Sequence, residues 1–314
     1  MSRFDFLTRY VIDENDIEEV GERVFYLDRT IAQSTINILY APAGTGKTWM
    51  SFALSGALMD CGLEVIYLDN DNGIHLLKDR GWDRFLNRYA GRMHYVNADM
   101  LDDAESDMKK IMHDLKANAE GSFYRNVAVV YDSLQFFLNG GMYDENKIRN
   151  FNAMCKRIRK SGGTVIVLNH STKNGLTMKG GGSLIDSADE VWHLRAVHSD
   201  LNEKHFIMTP EKKRNGTEEA GYTIDIKTMK MTPLDPIVAS MGDEEREFVK
   251  KILELINNEE LAQGVLLKSV GSHGADKTRI GWLEKHEGRC WSSAKKGKLR
   301  LYKKISTGVT DVQT

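Results

Sequence analysis

Two short stretches of the chain carry residues able to handle a phosphate chain. Ala41-Pro42-Ala43-Gly44-Thr45-Gly46-Lys47-Thr48 follows the apolar run 35–40 and precedes a helical run that begins Trp49-Met50-Ser51. Glycines in such a loop let the backbone curl until successive N–H groups point at a polyphosphate, and the helix behind adds the partial positive charge of its N-terminus. Ala43, Gly44, Thr45, Gly46, Lys47, Thr48 and Trp49 form the expected binding stretch, with Lys47 bridging the β- and γ-phosphates and Thr48 giving a hydroxyl to Mg²⁺. One position departs from G-x-x-x-x-G-K-[ST]: Ala41 stands where the first glycine usually is. The second stretch is the apolar run 127–131 ending in Asp132-Ser133, which looks like a Walker B strand. A carboxylate at the carboxyl end of a parallel strand lies where ligands collect in open α/β sheets, and it can hold Mg²⁺ through water. ATP and Mg²⁺ are the expected ligands, with Thr48 and Asp132 on the metal.

The elements that must position these groups are legible as alternation. Short β-branched runs at 35–40, 64–68, 127–131 and 164–168 are nearly continuous in apolar character, as strands covered on both faces must be. Amphipathic stretches at 48–60, 103–117 and 144–160 separate them, which predicts an α/β fold with a mostly parallel sheet. Runs at 190–194, 205–209 and 222–226 lie close together and are expected to finish the sheet antiparallel. Pro233 and Pro236, half of the four prolines, fall in a segment that no helix or central strand is expected to accommodate, so a linker is placed at 233–242. This divides the chain into an N-terminal segment 1–30, a core 31–232, the linker, a small domain 243–306 and a tail 307–314.

Composition excludes several classes. The chain has 314 residues, 41 % hydrophobic and 28 % charged, which is ordinary for a folded protein. No apolar run approaches the ~18 residues a membrane span needs. The acidic N-terminal stretch lacks the features of a targeting signal, and a cytoplasmic location is expected. Cys61, Cys155 and Cys290 are too few and too scattered for a disulfide framework or a zinc cluster. The net charge of −2 is an average: residues 1–240 carry 29 Lys+Arg against 34 Asp+Glu, and residues 261–314 carry 11 against 4.

Taken in order, the motifs resemble the RecA-like P-loop ATPases, and within them the hexameric replicative helicases of the plasmid RepA and DnaB type, over about residues 31–230. The resemblance implies roles for residues that are weak signals alone. The strand after the phosphate loop ends in Leu68-Asp69-Asn70-Asp71, where such enzymes carry their catalytic acid; Asp71 is the better match and Asp69 the second. The strand ending Asn169-His170 matches the element that senses the γ-phosphate, with His170 first and Asn169 second. Gly180, Gly181 and Gly182, with Lys173 and Lys179, resemble the loop that lines the central channel and grips single-stranded DNA. Lys212 and Arg214 match a K-x-R element that reaches a neighbouring subunit's nucleotide, which makes a homo-oligomeric, hexameric ring the expected assembly.

Downstream, Phe248, Ile252, Leu253 and Ile256 repeat at helical spacing, two shorter helical stretches follow, and RCWSSAKKGKLRLYKKI reads as two strands around Lys296-Gly297. This order resembles a winged-helix domain. Lys277, Arg279, Lys285, Lys295, Lys296, Lys298, Arg300, Lys303 and Lys304 would face nucleic acid there. The expected activity is ATP hydrolysis that drives a helicase or translocase on single-stranded DNA, with no membrane partner. The competing readings are a RecA/RadA-like recombination mediator and a non-motor, ATP-switched DNA-binding regulator.

Overall fold

The computed structural model describes residues 5, 11–18, 20–27, 29–199, 201–257, 259–272 and 276–305. The expected tail 307–314 lies outside them, as do residues 1–4 and 6–10 of the N-terminal segment. The chain divides into two compact units, Met1–Leu194 with Thr209–Glu218, and Arg195–Met208 with Glu219–Thr314.

The first unit opens with α1 (Glu14–Glu18) and a small antiparallel pair, β1 (Phe25–Tyr26) and β2 (Ile31–Ala32). Then come β3 (Ile36–Ala41), α2 (Lys47–Asp60), β4 (Glu64–Asp69), α3 (Ile74–Asp79), α4 (Trp82–Arg88), β5 (Met93–Asn97), α5 (Ala104–Ala117), β6 (Val127–Asp132), α6 (Leu134–Phe137), α7 (Glu145–Lys160), β7 (Thr164–His170), α8 (Gly182–Ser187) and β8 (Glu190–Ser199). Six of these strands pair in parallel in the order β8-β3-β7-β6-β4-β5. Every residue of β3 is buried, which is why Ile36–Ala41 can be apolar throughout: helices cover both faces. α7 buries Ile148, Phe151, Met154, Cys155 and Ile158, one stripe at helical spacing, against the sheet. Its first turn is capped by the Asp144 side chain, and Arg157, Arg159 and Lys160 complement the partial negative charge of its last turn.

In the second unit the run of β9 (Glu203–Lys213) up to Met208 pairs antiparallel with β10 (Ala220–Asp225), and β10 with β11 (Met231–Leu234). After them come α9 (Pro236–Ser240), α10 (Asp243–Leu255), β12 (Leu261–Ala262), α11 (Gln263–Ser269), α12 (Lys277–Lys285), β13 (Trp291–Lys296) and β14 (Leu299–Lys304). The last three strands form a sheet in the order β12-β14-β13. Phe248, Val249, Ile252, Leu266, Leu267, Leu283, Trp291 and Tyr302 make its core.

Three expectations change. The run at 190–194 is a parallel neighbour of β3 and not an antiparallel closing strand, because α8 carries the chain back to the start of the sheet first. β5 was not foreseen. It is an edge strand with mixed residues and only Asn97 fully buried, so its pattern is diluted. The segment 233–242 is not a bare linker: Pro233 lies on β11 at the margin of its three-stranded ladder, and Pro236 opens α9, two places where a missing N–H costs nothing. No described helix is long and apolar enough to cross a membrane.

Candidate functional site

The phosphate loop joins the carboxyl end of β3 to the first turn of α2. Gly44 and Gly46 have φ of 77° and 97°, in the left-handed region, and a Cβ at Gly44 would meet nothing within 4 Å. Backbone conformation, and not space, therefore demands glycine there. Gly46 is the N-cap of α2 and no side chain caps the helix, so its first amides remain available to an anion. Ala41 is the last, fully buried residue of β3, paired with His170 of β7. Lys47 is almost wholly buried, and its Nζ donates to the carbonyls of Ala41 (3.1 Å) and Pro42 (3.0 Å). Burial lowers its pKa, while the charges of Asp132 and Asp71 oppose that shift.

Adjacent strands β4 and β6 end in register, Asp69 beside Asp132. Asp132 is buried, accepts a hydrogen bond from Tyr67 Oη (2.8 Å) and is bonded by Thr48. Burial first, and then the charge of Asp69, push its carboxyl up to about 7. The two acids do different things. Asp69 is buried, and its oxygens accept from the amides of Asp71 (2.9 Å) and Asn72 (3.1 Å), the Asn72 side chain, and Tyr95 Oη (2.5 Å). It folds the turn, as an Asx residue does. Asp71 is exposed on that turn and lines a cavity of ≈ 550 Å³ together with Asn70, Glu105, Ser133, Gln135 and His170.

His170 ends β7, with Nδ1 3.4 Å from Lys47 Nζ. Burial and the Lys47 charge lower its pKa, so the ring is neutral near pH 7 and Nδ1 can accept from the ammonium. Asn169 is buried behind it: its side chain accepts from the His170 amide (2.8 Å) and donates to the Lys179 carbonyl (2.8 Å). The Lys179 amide in turn donates to the His170 carbonyl (2.8 Å), and Lys179 Nζ reaches Gln135 (3.1 Å). The stretch between is a closed hairpin in which Ser171 bridges Met178, with Lys173 exposed on it. Gly180 has a φ of 119°, a conformation that side chains rarely adopt. A Cβ at Gly180 would come within 2.8 Å of Leu184, and one at Gly181 within 2.9 Å of Glu145; at Gly182 there is open space.

Lys212 and Arg214 lie at the opposite, amino edge of the parallel strands. Lys212 Nζ donates to the carbonyls of Ile185 (2.6 Å) and Asp186 (3.0 Å) near the end of α8, and Arg214 donates to Asp186 (3.2 Å). Burial, then the Arg214 charge, lower the pKa of Lys212. Asp189 receives Arg159 at 2.9 and 3.0 Å, the Ile36 amide at 2.9 Å, and Arg214 more loosely at 3.6 Å. Ile36 starts the strand whose far end, Ala41, opens the phosphate loop. At about 3.3 Å per residue the two edges are roughly 16 Å apart, so Arg214 does not converge with Lys47, Asp71, Asp132 and His170.

Glu105, Ser133 and Gln135 were missed. Ser133 and Gln135 directly follow a strand that ends at the ligand edge, which was a usable signal; Glu105, in the first turn of α5, is brought in only by tertiary packing. Among the described residues no three His, Cys, Asp or Glu gather as a metal cluster. Thr48 and Asp132, hydrogen-bonded to each other beside the phosphate loop, are oxygen donors of the kind a hard cation takes.

A parallel sheet with a glycine-lysine-threonine loop leading into an uncapped helix, and a strand-end aspartate beside it, defines a P-loop nucleoside-triphosphatase core. The family model described as AAA domain matches residues 4–175. That is more than half of the chain, which therefore belongs to this family of P-loop ATPase type. No curated protein matches the chain.

Proposed function

We propose that the chain is an ATP-driven helicase or translocase of replicative type that works on single-stranded DNA as a hexameric ring. The observation that carries this reading is the position of Lys212 and Arg214 on the amino edge, too far from their own phosphate loop to act on it. A second copy brings such cations to a nucleotide, where they stabilise charge spread over the transferring phosphoryl oxygens. Within one chain the uncapped α2 amides and Lys47 hold the phosphates, and Thr48 and Asp132 hold Mg²⁺. The metal, when bound, neutralises phosphate charge. Asp71, on the open side of its turn, orients and deprotonates the attacking water. His170 reads the γ-phosphate through Lys47, and Asn169 links it to Lys179 and the hairpin bearing Lys173, which we assign to the DNA strand.

The order α10, α11, α12, β13 and β14 supports a winged-helix-like domain at 243–306. Not every cation in it is free for nucleic acid. Lys285 pairs with Glu245, Lys296 with Glu260, Arg300 with Glu287 and Arg279 with Asp276, and Lys304 donates to Asn257. Lys277, Lys295, Lys298 and Lys303 are exposed and make no ion pair among the described residues, and these we assign to phosphate contacts. The test measures ATPase rate against single-stranded DNA and unwinding of a forked duplex. Stimulation with unwinding is expected. Stimulation without unwinding would favour a recombination mediator, and indifference to single strands with tight duplex binding would favour a regulator.

A further inference from the structure

A cavity that the nucleotide site leaves unused lies at the amino edge of the parallel strands. It measures ≈ 640 Å³ and is walled by the stretch before β1, the two residues after β2, the loop between α5 and β6, and the turn between α7 and β7. Arg23, Arg125 and Lys160 line it, against one carboxylate, Glu22. That surplus of cations stands within residues 1–240, whose own balance is acidic, 29 Lys+Arg against 34 Asp+Glu. Backbone bonds fix the walls to one another. The Tyr124 amide donates to the Ser161 carbonyl (3.0 Å), Ser34 Oγ donates to the Gly162 carbonyl (3.1 Å), and the Gln33 amide donates to the Val24 carbonyl (2.9 Å). A Cβ at Gly162 would come within 3.1 Å of the Arg125 Cα, so these two loops touch through their backbones.

The donors around the cavity are open. Among the described residues the Arg125 and Lys160 side chains make no hydrogen bond and no ion pair, and the Gly121 and Ser122 amides make no hydrogen bond. Arg23 gives one N–H to the Asn215 side chain and keeps the others. Lys160 also complements the last turn of α7, but Arg125, in the loop before β6, has no helix end to serve. Like charges gathered by a fixed frame repel one another, and an anion among them turns that repulsion into attraction. We propose that this cavity is a second phosphate-binding site, separate from residues 41–48, that takes a phosphate group, free or esterified. A forked guanidinium, an ammonium and free backbone amides are the donors such a group uses. The site is independent of the readings of the phosphate loop and of the Lys173 hairpin, and it lies a strand length from the former.

The experiment uses the full chain carrying Lys47→Ala, so that the phosphate loop contributes little, and titrates it with pyrophosphate by calorimetry and with a short fluorescein-labelled oligothymidylate by anisotropy. Adding Arg125→Ala and Lys160→Ala together is expected to weaken the probe that binds by about tenfold or more, the scale of a pair of charge-assisted hydrogen bonds. A response confined to pyrophosphate identifies a free phosphate compound as the ligand. A response of the oligonucleotide identifies a strand, and its log–log salt dependence should then flatten by about 0.7 for each cation removed. Glu22→Gln, which removes the one opposing charge, is expected to tighten the same probe by about twofold, a gain that damage to the fold does not produce. Absence of binding by both probes would overturn the proposal. So would affinities that the double variant leaves within about twofold, or a Glu22→Gln variant that binds no more tightly.

Discussion

The two edges of one parallel sheet are built on opposite electrostatic plans. At the carboxyl edge, Lys47 rests on carbonyls and an imidazole and meets no carboxylate directly, and burial with the charge of Asp69 pushes the Asp132 carboxyl up to about 7. At the amino edge, Asp189 is answered by Arg159 and a strand amide, and Lys212 and Arg214 rest on the last carbonyls of α8. The first arrangement carries a buried ammonium and a carboxyl whose ionisation burial disfavours. The second is already satisfied, and offers exposed cations outward. In the proposed mechanism the first edge binds nucleotide and the second donates cations to a neighbour, and within one chain the two do not meet.

The sharpest way to break this comparison is at the donating half. Arg214→Ala is expected to lower kcat by about 10³-fold or more while leaving the chain's own ATP affinity within twofold; a large loss of affinity would mean that Arg214 acts in cis. Mixing it with Lys47→Ala subunits should restore part of the activity once mixed assemblies are shown to form. At the binding half, Lys47→Ala should lower turnover by about 10²–10³-fold and weaken nucleotide binding as well, so equilibrium titration separates the two edges.

Smaller effects sharpen the division inside the carboxyl edge. Asp71→Asn should reduce turnover by about 10²-fold at unchanged Tm, whereas Asp69→Asn should lower Tm because its oxygens close the turn; the reverse pattern would exchange their roles. Asp132→Asn is expected to abolish metal-dependent turnover, and its expected stability effect follows from linkage. The folded chain keeps a proton on Asp132 up to about pH 7 that the unfolded chain releases near its ordinary carboxylate pKa of 3.8. Stability of the nucleotide-free protein therefore falls as pH rises through that window and levels off above it. The asparagine variant should melt about 3 °C or more above wild type at pH 8, with a smaller gap at pH 5, where wild-type Asp132 is itself largely protonated.

Residues near one another in the chain were legible because their physics is local. Gly44, Gly46, Lys47 and Thr48 need only the strand before them and the helix after, and the apolar runs of β3, β4, β6 and β7 state their own burial. Asp69 and Asp71 could not be ranked with the same force, because Tyr95 decides the matter from a strand the pattern did not reveal. For the glycines after Lys179 the sequence shows the missing side chain but not the Leu184 and Glu145 atoms that a Cβ at Gly180 or Gly181 would meet. Pro233 and Pro236 looked like a break because sequence does not show which N–H a fold can spare.

By itself, then, the sequence determined the phosphate-loop motif and the strand and helix on either side of it, because phosphate recognition uses consecutive backbone amides. Tertiary structure alone decided which carboxylate lines the cavity, which residues hold His170 and its hairpin, and that Arg214 stands an entire strand length from Lys47. The placement of the two edges depends on strand pairings about 60 to 150 residues apart in the chain, and the pairing of distant strands is set by the whole buried surface and not by any one motif.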